Sequence, residues 1–187
     1  DQKVGRAVGG SIQKARSFTS AVGIIAHELG HLLGLPDLFD TEFTNQGDLS
    51  PADDSAGIGY WGIMGHGARG WQDEGGPTPF TAWSLARLGW LGVGNENLEI
   101  VDQTQRGLRI VDSATEEGIV YRMALESPRY LLIEHRRSDG SYYERGLPKD
   151  GLLIWQIDEF TASNNIEQRK LVDLVCADGL YADAGFP

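Results

Sequence analysis

The sequence predicts a mixed α+β chain that divides near residue 92 into a helix-and-loop half and a β-rich half. Three observations carry this. Val22, Ile25, Ala26, Leu29 and Leu33 recur at helical spacing. Residues 40–79 are crowded with Gly, Asp, Asn, Ser and Pro and lack periodicity. After Trp90, short β-like runs separated by turn signals take over.

The chain has 187 residues, enough for one domain with a buried core. Its 41% hydrophobic and 23% charged content is ordinary for a soluble globular protein. The net charge of −11 argues against nucleic acid, which is bound by neutralising phosphates with Lys and Arg. No apolar run approaches the roughly 20 residues needed to cross a bilayer, so no membrane span is expected. One cysteine, Cys176, leaves no intrachain disulfide and reads as a buried free thiol. No signal peptide is visible.

Residues 1–16 read as an irregular lead-in. A helix is expected from Ser17, with Ser17, Thr19 and Ser20 as candidate N-caps. Gly34 ends it and Pro36 prevents its resumption. A structureless stretch as long as 40–79 is usually functional or ion-bound. A second helix is expected over Pro79 to Leu88, closed by Gly89. Strands are expected at 98–101, 107–111, 118–125, 130–135, 151–157 and 171–176. The runs Tyr130-Leu131-Leu132-Ile133 and Leu152-Leu153-Ile154-Trp155 are so continuously apolar that both are placed in a core. Glu134-His135-Arg136-Arg137 reads as a strand end with a solvated charge run, and Trp61, Trp71, Trp83 and Trp90 as core or loop anchors.

The chemistry sits in the first helix, as His27-Glu28-Leu29-Gly30-His31. Residues i and i+4 stand one above the other on a helix face, so the two imidazoles can address one cation. Glu28 lies next to that face, within reach of a water but not of the metal. Zinc suits two imidazoles and one oxygen ligand with the fourth position open to water. With 4 His in the chain, this motif arises by chance in roughly one such sequence in two hundred. Gly34 and Asp37 extend it to HExxHxxGxxD, in which a sharp turn swings Asp37 beneath the metal as third ligand. Asp40 is the alternative carboxylate. A purely structural role for two helix histidines enclosing a glutamate in an apolar helix explains the pattern less well.

The segment Ala26–Thr41 resembles the zinc signature of the immune inhibitor A-like family of secreted bacterial metalloproteases, which are metzincin-like. Gly59–Gly65, Pro79–Ser84 with Leu88–Leu91, Tyr130–Glu134 and Gly151–Glu159 extend the likeness over most of residues 20–180. The resemblance implies a zincin-like active-site helix, with His27, His31 and Asp37 as metal ligands and Glu28 as general base. It places Met64 at the family's Met-turn, a methionine packed beneath the metal. His66 stands where some metzincins carry a tyrosine that helps stabilise the transition state, and His66 or Tyr60 is a candidate helper of the oxyanion. A zincin also builds a twisted sheet before its active-site helix, so the chain is expected to be a fragment lacking that sheet.

These readings divide the chain into residues 1–92, the metalloprotease active-site region, and 93–187, its β-rich continuation. The expected activity is zinc-dependent hydrolysis of peptide bonds in proteins by an activated water, with peptide or protein substrates and a secreted location. An aminopeptidase is a competing enzyme reading. A catalytically inactive zinc-containing binding module of a larger secreted or surface protein is the competing non-enzyme reading. Asp40, Glu42, Asp48, Asp53, Asp54 and Asn45 make the following loop a candidate Ca²⁺ site.

Overall fold

The computed structural model describes residues 18–41, 57–70, 76–166 and 168–177. Helix α1 spans Phe18–Leu32. Thr19 and Ser20, two of the candidate caps, lie inside it, and Ser17 falls outside the described residues. The helix stops as Gly34 permits: at φ +90° its N–H reaches the His31 carbonyl, while the Leu35 N–H reaches back to Gly30. This pair of bonds satisfies two carbonyls left over at the helix end.

Two 3-10 turns follow, Gly59–Trp61 and His66–Arg69. Helix α2 covers Ala82–Leu88, shorter than the expected Pro79 start. Thr81 causes the difference: its backbone is extended and its hydroxyl accepts from the Ser84 N–H, fixing the first turn at Ala82. Pro79 is used elsewhere, its carbonyl accepting from the Ile63 N–H. Gly89, left-handed at φ +73°, closes α2 as expected.

Five strands then form one sheet in the order β1-β2-β3-β4-β5: Leu98–Val101, Val120–Ala124, Arg129–Arg136, Gly151–Asp158 and Val172–Leu174. The first pair is parallel and the other three antiparallel. The mixed α+β class is therefore as expected, and five of the six expected runs became strands. The run 107–111 did not. Its residues are mostly exposed, and only Asp112 just beyond it makes an isolated bridge, to His135.

The apolar runs in β3 and β4 reach the core as expected, through Tyr130, Leu132, Leu153 and Trp155, but burial alternates residue by residue, and Leu152 is half exposed. One face of the sheet is covered and the other is not, which is what period-2 side-chain geometry produces. The same alternation overturns the solvated reading for Glu134 and Arg136, while Arg137, just past the strand end, is exposed as expected. Glu134 and Arg136 are in phase with Tyr130 and Leu132, and each is only 1% exposed. Glu134 accepts from the Trp155 indole (2.8 Å), the Ser113 hydroxyl (2.9 Å) and the Ala82 N–H (3.3 Å). Arg136 donates to Glu144 (2.8 and 3.1 Å) and to the Trp61 carbonyl (2.7 Å). Buried charges persist only when paired in this way. Cys176 is half-buried rather than buried. Of the expected anchors, Trp83 is in the core, Trp61 half-buried and Trp90 half exposed. Trp71 is outside the described residues.

The covered face, with Val120, Leu132, Trp155, Ile157 and Val172, packs on α2 through Trp83 and Ala82. It also packs on the loop residues Leu38, Ile58, Ile63 and Met64. This core presses the loop against α1.

Candidate metal centre

Two glycines let the loop approach α1. Glycine inside a helix costs about 1 kcal/mol relative to alanine, so Gly23 and Gly30 signal a compensating contact. A Cβ on Gly23 would lie 2.0 Å from the Ala68 carbonyl oxygen, and one on Gly30 would lie 2.5 Å from Met64 Sδ. Met64, 1% exposed, thus packs beneath the stretch of helix between His27 and His31.

The same approach orients both imidazoles. His27 Nδ1 lies 2.7 Å from the Ile63 carbonyl and His31 Nδ1 lies 2.9 Å from the Leu35 carbonyl. A carbonyl only accepts, so both Nδ1 atoms carry the hydrogen and both Nε2 atoms present lone pairs when the rings are neutral. Those Nε2 atoms are 3.1 Å apart.

The bend at Gly34 brings in Asp37, whose Oδ1 lies 3.1 Å from His27 Nε2 and 3.4 Å from His31 Nε2. Leu38, fully buried, holds this bend. Its N–H donates to the Met64 carbonyl, and its carbonyl accepts from the Ile58 N–H and the Asn164 amide. Asn164 also bonds both backbone groups of Val172, tying the Asp37 turn to β5.

These three donors form the one group of at least three potential metal-ligating side chains gathered around a common point among the described residues. Two lone pairs and a carboxylate oxygen face each other, and Asp37 Oδ1 is buried without a hydrogen-bond partner. Such an arrangement is relieved by a proton or a cation at its centre. The electrostatics of His27 agree. Burial disfavours the charged ring, but Asp37, the Ile63 carbonyl and Glu28 together outweigh it and raise its pKa. The donor set therefore fits a divalent cation.

Glu28 is exposed beside the cluster. Asp40, the alternative carboxylate, is half-buried and outside the group of three. His66 is not in it either: Phe39 stacks between His27 (6.4 Å between centroids) and His66 (5.4 Å), and Tyr60 lies beyond His66 (5.8 Å). Of the candidate calcium-loop residues, only Asp40 is among those described.

Sequence reasoning missed Asn164, 126 residues from its partner Leu38, and the roles of Gly23 and Gly30. The glycines carried a usable signal, because propensity alone disfavours them in a helix. Asn164 carried none.

Residues 11–93 match the family of the immune inhibitor A peptidase M6 catalytic domain. The pre-pro-metalloprotease PrtV, in two strains of Vibrio cholerae serotype O1, is 40% identical over 88 residues. That alignment covers 43% of this chain and 8% of each relative, so the chain matches a small part of their length. No solved structure matches it. No described helix is long and apolar enough to cross a membrane. The family match relates the chain to the immune inhibitor A peptidases through residues 11–93, the segment that carries His27, His31 and Asp37.

Proposed function

We propose that the chain carries the catalytic centre of a zinc-dependent endopeptidase, with residues 1–92 as its active-site region and 93–187 as its β-rich continuation. The observation that carries this reading is the convergence of His27 Nε2, His31 Nε2 and Asp37 Oδ1 at 3.1–3.4 Å. Ligand atoms about 2.0–2.1 Å from a tetrahedral ion stand roughly 3.3 Å from each other, so these spacings suit zinc. The donors, two imidazoles and one carboxylate, also leave one of four positions open, as in hydrolytic zinc sites.

Bound there, zinc supplies Lewis acidity toward the scissile carbonyl and the attacking water. The chain's residues do the rest. The Nδ1–H bonds to Ile63 and Leu35 hold both rings in the ligating tautomer. Glu28, exposed beside them, takes a proton from water as the oxygen attacks the carbonyl carbon, then passes it to the amine nitrogen as the C–N bond breaks. His66 or Tyr60 is proposed to reach the developing oxyanion once a substrate is bound. Protein and peptide substrates and a secreted location accompany this reading. The outward stripe Ile25, Leu29 and Leu32, more than half exposed, is a face that a further layer of a zincin-like fold would cover.

The test is Glu28→Gln, assayed on casein. The proposal expects metal content to be unchanged and hydrolysis to fall by at least a hundredfold, the lower range for loss of a general base. Wild-type hydrolysis by the variant refutes the role of Glu28. A wild-type chain that holds zinc and cleaves nothing returns the inactive-module reading.

A further inference from the structure

A trough begins at the cluster. A cavity of about 620 Å³ opens beside His31, walled by Leu35, Pro36, Trp83 and Leu171 and rimmed by Arg87 and Glu159. A second cavity of about 260 Å³ shares Trp83, Arg87 and Glu159 with the first and continues to Arg122 and Tyr130. The larger volume exceeds any single side chain and suits several residues of an extended peptide.

The charges in this trough are uneven. Glu159 accepts a hydrogen bond from the Tyr130 hydroxyl at 3.0 Å. Arg122 lies over the Tyr130 ring, 3.9 Å from its centroid, and Arg87 lies 5.8 Å from that of Trp83. Neither arginine has an ion-pair partner among the described residues, although several other arginines do. Two arginines against one engaged carboxylate make a locally positive surface on a chain of net charge −11. A guanidinium braced on an aromatic ring is suited to grip a carboxylate with two parallel hydrogen bonds.

We propose that this trough binds the substrate chain on one side of the scissile bond, and that Arg87, with Arg122 beyond it, selects an acidic side chain there. This rests on the peptidase reading of the cluster. Arg87 is exposed, so its selectivity is modest: about fivefold, the equivalent of about 1 kcal/mol.

The test compares kcat/KM of the full chain on quenched peptides that differ only by Glu or Gln at each position flanking the cleavage site. Glu should be favoured about fivefold at one position. Arg87→Gln should remove that preference, Arg122→Gln should weaken it, and Arg87→Glu should favour Lys instead. Arg106→Gln, exposed and outside the trough, should preserve it. The same peptides are titrated onto Glu28→Gln by fluorescence anisotropy, where the preference should appear without turnover. Cleavage without any Glu preference, or a preference that survives Arg87→Glu, overturns the proposal. If the wild type cleaves nothing, the peptidase reading fails. Anisotropy then decides the trough separately: Arg87-dependent binding of the Glu peptides upholds it, and its absence overturns it.

Discussion

Gly23→Ala sets two physical effects against each other. Helix propensity alone predicts stabilisation, because alanine is favoured over glycine in a helix interior by about 1 kcal/mol. The packing predicts the reverse. The new Cβ would sit 2.0 Å from the Ala68 carbonyl oxygen and 2.7 Å from Pro77 Cβ. A carbon and a carbonyl oxygen in contact stand roughly 3.3 Å apart, so α1 and the turn at His66–Arg69 must separate by about 1 Å. The obstacle is backbone, which cannot rotate aside. Overpacking of this kind costs about 1–3 kcal/mol, and with the upper end of that range the net destabilisation is about 2 kcal/mol. Thermal unfolding should move down by about 4–8 °C in a chain of this size, and urea unfolding should show a lower midpoint at unchanged slope. Gly30→Ala is the graded control. It meets the flexible Met64 side chain rather than a carbonyl, and should cost less. A Gly23→Ala protein as stable as the wild type, or more so, would refute the close packing of loop on helix.

Two further predictions follow from buried hydrogen bonds. Tyr130, partly buried and donating to Glu159, has its phenol pushed up to about 12, by burial first and by the Glu159 carboxylate second. Because the folded value is raised, the proton's contribution to stability is complete below pH 10 and is lost as pH climbs toward 12. Absorbance at 295 nm should therefore show a titration near 12 that Tyr130→Phe lacks; titration of that residue near 10 would contradict the contact. Asn164→Ala removes the amide that ties Leu38 to Val172, and should lower stability by about 2–3 kcal/mol. It should also weaken metal retention tenfold or more, as loss of an outer-shell support does. Stability loss with undiminished metal affinity would detach Asn164 from positioning Asp37.

The residues brought together at the centre were legible because the information is local. His27 and His31 are one helical turn apart, and Asp37 follows through a bend that Gly34 announces, so short-range geometry alone suffices. The helix-and-sheet order was legible for the same reason. What failed was burial. Glu134 and Arg136 looked solvated because charge was read without phase; continuing the two-residue period from Tyr130 and Leu132 would have placed both in the core. The run 107–111 looked like a strand but gained no neighbouring strand, and pairing depends on topology rather than on local propensity. The clamp by Asn164 joins residues 126 apart, a contact that only the folded chain defines.

Elemental analysis of the purified chain, beside Asp37→Ala and Asp40→Ala, tests the centre most directly. One zinc per chain is expected in the wild type and in Asp40→Ala, and loss of that zinc in Asp37→Ala. Full zinc in Asp37→Ala, or none in the wild type after incubation with the metal, would contradict it.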